Sequence, residues 1–343
     1  MHKFFNLLVH KVNTWRLYLG KDPEYLPSRS IVLFPIQPNV LCCGLTGILV
    51  IKDGAKQAPG NVFIRFSEIF TAVESNCFEK VLGGTISPED YLNPTILETF
   101  DKEIYTLKQS PHSQHDILNE TPINQLEALV FRMGTFIDEE EGLLEKHAAR
   151  YSTKAMETMS HALILLKDIV WGIGEDLLKN QVRIMDLSDR ETILSARAFE
   201  KYQRINFTLN ALDRLEVRGR DSCGLQVALT FDGSDGLNDV VAKIKKDGLY
   251  EEFMERCRPG DLWNKAIHIS PDSLTFTYKT AFVTGDLGDN TRRLRKSINS
   301  DPIIRTALSG SSDSQQYLAH TRWASVQNEF LQRQAGLKLQ MLV

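Results

Sequence analysis

Cys42-Cys43-Gly44-Leu45-Thr46-Gly47 runs straight into Ile48-Leu49-Val50-Ile51 and stops at Asp53-Gly54. A short apolar, partly β-branched run closed by an Asp-Gly turn predicts a strand, here one that begins at a Cys-Gly pair. Two later segments belong with it: Arg218-Gly219-Arg220-Asp221-Ser222-Cys223-Gly224 and His320-Thr321-Arg322-Trp323-Ala324-Ser325. The first of these reads as a polar turn leaving a helix. It feeds Leu225, Val227, Leu229 and Phe231, which alternate with Gln226, Ala228 and Thr230 as in a half-buried strand. The other closes a strand expected over Leu318 to Trp323.

In that order the three segments resemble the glutaminase half of class II glutamine amidotransferases. The likeness is greatest to the glucosamine-6-phosphate synthase family (glutamine:fructose-6-phosphate aminotransferase), whose pattern runs C-G-I-x-G, R-G-Y-D-S-x-G and H-T-R-W-A. It covers residues 40–52 and 200–326, with long unmatched inserts between. The resemblance implies an α+β fold, a four-layer αββα sandwich of the N-terminal-nucleophile hydrolase type, here carrying a mainly α-helical insertion. It implies residues 1–42 as a leader or propeptide, 43–60 and 186–326 as an interrupted glutaminase domain, and 61–185 as the insertion. A second small insertion falls at 234–272, and a divergent helical tail at 327–343.

The chemistry explains the residue types. An unactivated amide is a poor electrophile, so taking ammonia from glutamine calls for a thiolate. In the family the cysteine is the first residue and its own α-amine, which titrates near neutrality, is the base. Cys43 matches that nucleophile because Gly44 follows it. Arg322 matches the residue that holds the α-carboxylate of glutamine, a task suited to a planar guanidinium. Trp323 and Ser325 match its neighbours in the glutamine pocket. Arg218, Gly219, Asp221, Ser222 and Thr321 match positions that support the site, with Arg218 and Asp221 bracing the nucleophile loop. No cofactor or metal is implied. Ammonia would pass to fructose 6-phosphate on isomerase domains that this chain does not contain.

Composition agrees with that class. With 343 residues, 42% hydrophobic and 24% charged, the chain can bury a substantial core. A net charge of −4 without a basic stripe excludes nucleic acid as the expected partner. The nearest approach, Arg292-Arg293-Leu294-Arg295-Lys296, reads as a solvated helix face. Five cysteines, none spaced C-x-x-C, exclude a disulfide scaffold or zinc site and suit the reducing cytoplasm. The most apolar stretch, His161 to Gly174, is too short to span a membrane and is interrupted by Lys167 and Asp168.

Periodicity orders the rest. A leader that stays attached is expected to add a strand at Ser30 to Phe34. Thr121-Pro122 reads as a helix start, followed by Leu126, Val130, Met133 and Ile137; Met156, Met159, Leu163, Leu166 and Val170 form a second series. Two such helices would make an interaction or homo-oligomerisation element. Glu139-Glu140-Glu141 reads as a solvated face, and His147 and His161 as surface or packing residues. Ser188 to Glu191 reads as a capping box opening a helix with Leu194, Ala198, Tyr202, Ile205, Leu209 and Leu212 on one stripe. Asp301-Pro302 reads as another helix start.

There are departures. Arg220 stands where the family has tyrosine, and Val326-Gln327 where it has a nearby glycine. The family's later His, Asn-Gly pair and Asp have no counterpart in 328–343, as expected of a shortened product. A free α-amine on Cys43 requires a cut after Cys42; an uncut leader leaves the site silent. Beside the amidotransferase there remain a non-catalytic interaction protein and another class II amidotransferase, such as the one making phosphoribosylamine, against which Trp323 speaks.

Overall fold

The computed structural model describes residues 15–17, 31–35, 44–51, 62–109, 114–115, 123–189, 194–219, 221–231, 233–258, 263–282 and 286–322, without the side chains of 15–17, 31–35, 51, 109, 218, 233 and 234. Three strands come first in the chain: β1 (Trp15–Leu17), β2 (Ile31–Pro35) and β3 (Leu45–Ile51). They pair antiparallel, β1 on β2 and β2 on β3, so the strand expected of an attached leader at Ser30 to Phe34 is present. The chain divides into two compact units, Met1–Gly54 with Ile184–Val343, and Ala55–Arg183.

The second unit is helical: α1 (Val62–Glu74), α2 (Phe78–Leu82), α3 (Pro94–Gln109), α4 (Ile123–His147) and α5 (Thr153–Trp171). A π-helical stretch, Gly172–Leu178, then leads into α6 (Lys179–Ser188). The apolar stripe of α4 is Leu126, Leu129, Met133, Ile137 and Leu144, with Val130 only partly buried. That of α5 is Met159, Leu163, Leu166 and Ile169, with Met156 and Val170 at the edge. Helical periodicity is thus as expected, shifted by one residue at the margins.

The glutamate run is not a simple solvated face. Glu140 is 3% exposed and accepts a hydrogen bond from the backbone N–H of Phe78 at 2.7 Å, at the start of α2. Burial, with Glu79 and Glu139 adding repulsion, raises its pKa against the pull of that bond. Glu141 instead pairs with Lys167 at 2.7 Å. The start expected at Thr121-Pro122 lies outside the described residues.

The first unit resumes with α7 (Ala196–Leu215). Its cap is Ser195, whose hydroxyl accepts from the Ala198 N–H at 3.3 Å, so the capping box expected at Ser188 does not open this helix. Ser188 ends α6, its hydroxyl donating to the Met185 carbonyl, and Asp189 follows at φ 74°, a left-handed stop. Next come β4 (Ser222–Thr230), α8 (Gly233–Lys246), α9 (Tyr250–Arg256), β5 (Ala266–Ser270) and β6 (Ser273–Ala281). The described chain closes with α10 (Asp289–Asn299), α11 (Pro302–Ser309) and β7 (Ser314–Arg322). Strand β5 lies within the second small insertion expected at 234–272; its five residues are too few for periodicity to announce.

The strand order is β1-β2-β3-β7-β4-β6-β5, antiparallel throughout. Helices α7 and α10 pack on the sheet face carrying Leu225, Val227, Phe276, Tyr278, Tyr317 and Ala319, all buried. The mixed α+β character is therefore as expected. The described strands form one sheet, and the second sheet of an αββα sandwich is not among them. Arg295, expected in solvent, donates to Asn206 and Asn210 of α7, and Arg293 lies over the Phe282 ring.

One buried network holds the helical side together. Asp301 caps α11 by accepting from Ile303 and Ile304 N–H, and also accepts both Arg256 guanidinium bonds, at 2.9 and 2.6 Å, and the Tyr278 hydroxyl at 2.7 Å. Burial alone would raise its pKa, but Arg256, Tyr278 and the helix start hold it below the usual carboxylate range. Asp301→Ala should cost about 3–5 kcal/mol by leaving buried Arg256 with only the more exposed Glu252, at 3.4 Å, as an acidic partner. Denaturant titration checks this, and the parent's advantage should shrink as pH falls through the carboxylate range, where Asp301 takes up a proton.

Candidate functional site

Three segments distant in sequence meet at one end of the sheet because β7 lies between β3 and β4. Leu45 of β3 stands opposite His320, and on the other side Gly224 stands opposite His320 and Ser222 opposite Arg322. Ser222, Gly224, His320 and Arg322 belong to the second and third motifs, and Gly44 precedes the first residue of β3.

Thr321 ties them. Its N–H donates to the Gly44 carbonyl at 2.8 Å, and its hydroxyl accepts from the Gly44 N–H at 3.0 Å. The same hydroxyl donates to the Leu215 carbonyl at 3.3 Å, at the end of α7. Thr321 is completely buried, so these bonds replace ones that water could otherwise make. A β-strand alternates its faces, so Thr321 points toward α7 while His320 and Arg322 point to the other face.

The second motif approaches by close backbone contact. Residues Glu216–Arg218 form a 3₁₀ turn after α7. Buried Glu216 anchors it by accepting from the N–H of Gly288, and from the N–H and hydroxyl of Thr291 at 3.0 and 2.7 Å, at the start of α10. Gly219 then passes so near β7 that an added Cβ would lie 2.9 Å from the Arg322 carbonyl carbon and 3.0 Å from its nitrogen. Its φ of 172° is ordinary extended backbone, so proximity rather than torsion requires glycine here. Asp221, largely buried, donates its N–H to the Arg322 carbonyl at 3.1 Å and accepts from the Phe282 N–H at 3.1 Å. Gly44 is similarly confined, since its Cβ would meet that of Leu215 at 2.7 Å.

Gly219, Asp221, Ser222, Thr321 and Arg322 thus lie at one end of the sheet. The hydrogen bonds to Gly44 come from Thr321, while Asp221 contributes backbone bonds to β7 and to Phe282. The Arg218 side chain, Cys43, Arg220, Trp323 and Ser325 lie outside what is described. Of the described cysteines, Cys223 is raised far above an ordinary thiol by burial, with Glu216 adding, and Cys257 to about 11 by burial. Neither has the lowered pKa of an activated nucleophile. No cluster of metal-ligating side chains exists among the described residues, and none of their helices is long and apolar enough to cross a membrane.

Two residues to which the sequence assigned no role stand at the same end. His320 sits on the face opposite Thr321, its Nε2 buried without a hydrogen-bond partner. Lys279 of β6 pairs with Gly224 from the other side of β4. The alternation of β7 could have placed His320 beside Arg322; nothing in the sequence pairs Lys279 with them. The chain matches no known family model, no curated protein and no solved structure.

Replacing Thr321 by Val keeps its shape but strips the Gly44 N–H of its acceptor, and should cost about 1–3 kcal/mol, with Ser recovering much of it. Gly219→Ala, which overpacks against β7, should cost about as much. Urea unfolding of each variant is the check.

Proposed function

We propose that the chain is the glutaminase part of a class II glutamine amidotransferase of the glucosamine-6-phosphate synthase kind. The observation that carries this reading is the Thr321 bridge to Gly44. It fastens the residue following Cys43 beside the residue preceding Arg322, although 277 positions separate Gly44 from Thr321. The strand that follows Gly44 and the strand that carries Arg322 are thus neighbours in the sheet. Rigid strands place groups with the precision that covalent catalysis needs.

The steps follow from the groups. The α-amine of Cys43, freed by cutting the bond after Cys42, takes the thiol proton. The thiolate attacks the carboxamide carbon of glutamine, and the tetrahedral intermediate collapses as its C–N bond breaks. The leaving nitrogen takes the proton and departs as ammonia, leaving a γ-glutamyl thioester. Water then attacks that carbonyl, glutamate leaves, and the thiol is restored. Arg322 holds the substrate α-carboxylate, and Trp323 and Ser325 complete the pocket. Ammonia goes to fructose 6-phosphate, the acceptor that the resemblance implies.

The test is ammonia release from glutamine by the chain carrying an engineered protease site that exposes Cys43 as the first residue. Activity should appear on cleavage, vanish in Cys43→Ala, and be negligible before cleavage. Arg322→Lys, which exchanges a bidentate contact for a point charge, should raise KM about tenfold or more with a smaller change in kcat. A cleaved, folded chain that releases no ammonia at saturating glutamine contradicts the proposal.

A further inference from the structure

The helical unit carries a buried acid that the glutaminase reading does not use. Glu140 of α4 is 3% exposed, and one of its oxygens accepts from the Phe78 N–H at 2.7 Å. Phe78 opens α2, and Cys77 before it gives that helix no side-chain cap, so Glu140 supplies the bond from another element. Tyr91, completely buried, sets its ring edge-on to that of Phe78 at 6.2 Å and brings its hydroxyl beside the same carboxylate. Residues 76–93 thereby form one closed segment. The Leu92 N–H donates to the Asn76 carbonyl at 2.9 Å across its base, and Phe78, Val81, Tyr91 and Leu92 are buried in the core of the unit. Closure is strained: Leu92 and Asn93 have φ of 55° and 51°, left-handed backbone that a bulky side chain such as leucine's rarely adopts.

Among the described residues no cation acts on Glu140. Glu79 of α2 and Glu139 of α4 repel its charge, and its hydrogen-bonding neighbours are the Phe78 N–H and Tyr91. Lys167 of α5 pairs instead with Glu141, and Arg132, toward α1, with Glu74. Cys77 acts on Tyr91, while His147 and Tyr151 meet the Phe78 ring, at 6.2 and 5.7 Å between centroids. A neutral carboxyl suits this place: its carbonyl oxygen accepts from Phe78, and its O–H can donate to the Tyr91 oxygen. A carboxylate there is desolvated beside two like charges. Burial first, then Glu79 and Glu139, raise the Glu140 pKa in the closed segment against the bonds to Phe78 and Tyr91.

We propose that residues 76–93 are a proton-controlled latch, closed on a neutral Glu140 and released when Glu140 ionises and turns to water. The latch belongs to the helical unit alone and stands whether or not the chain is a glutaminase. A carboxyl that holds its proton more tightly closed than open gives the proton up on opening. Opening therefore grows as pH rises from the ordinary carboxylate range, and levels off once Glu140 ionises in the closed segment too. The left-handed backbone at Leu92 and Asn93 relaxes in the same step, which gives the ionised state its exit.

The experiment is amide hydrogen exchange of the full chain, read by mass spectrometry on peptides covering 76–93 and, as reference, on peptides of α5, each corrected for the intrinsic exchange rate at that pH. Above about pH 4.3, the ordinary glutamate pKa, opening of 76–93 should grow by up to about tenfold per pH unit and then reach a plateau, while α5 stays flat. Glu140→Gln keeps an acceptor for Phe78 and a donor for Tyr91 without the charge. It should abolish the slope and leave the segment about tenfold or more better protected at pH 7. Glu79→Gln, an exposed change, removes one repelling carboxylate and should move the plateau to lower pH, which decides the matter should Glu140→Gln fail to fold. Opening that does not depend on pH in the parent overturns the latch. So does a slope that persists in Glu140→Gln, which would belong to another group such as His147, or a plateau that Glu79→Gln leaves in place.

Discussion

The account depends on the pair of hydrogen bonds between Thr321 and Gly44. A sheet ordered β3-β7-β4 must bring together segments that are far apart in the chain, and Thr321 fixes where they meet. Its backbone extends the ladder by one residue past Leu45, and its hydroxyl spans from Gly44 to the end of α7. With those bonds in place, Gly219 can close on the Arg322 backbone and Asp221 can add its own bond to β7. Each contact is local, yet together they allow only one register for the three strands. A slip of one residue would exchange the face of Thr321 with that of His320.

That division of faces gives the end of the sheet two different chemistries. Toward α7 the groups are buried and satisfied: Thr321, Glu216 holding the start of α10, and the Asp301 network farther along. The other face carries His320 and Arg322 of β7 and Lys279 of β6. A structural role explains the first set completely.

Much of this was legible in the sequence, for physical reasons that can be named. The alternation from Leu225 to Phe231 and the Asp301-Pro302 helix start are local signals, and both appear in the structure as expected. The motif order grouped Gly219, Asp221, Ser222, Thr321 and Arg322, which the structure puts at one end of the sheet, but it did not show that Thr321 would make the link to Gly44. Other features depend on distant partners. Glu140 looked solvated because its partner is the backbone of Phe78, 62 positions away. Ser188 looked like a cap because the serine that does cap α7 lies seven residues on, after a left-handed turn. Lys279 could not be paired with His320 without knowing that β4 separates β6 from β7.

The most direct test of the central claim is to treat the chain, cleaved to begin at Cys43, with a glutamine-mimicking electrophile and map the adduct by peptide mass spectrometry. The account predicts modification at Cys43, blocked by excess glutamine and lost in Arg322→Ala, with Cys77, Cys223 and Cys257 left free. A folded chain modified at none of its cysteines, or at all of them alike, would contradict it.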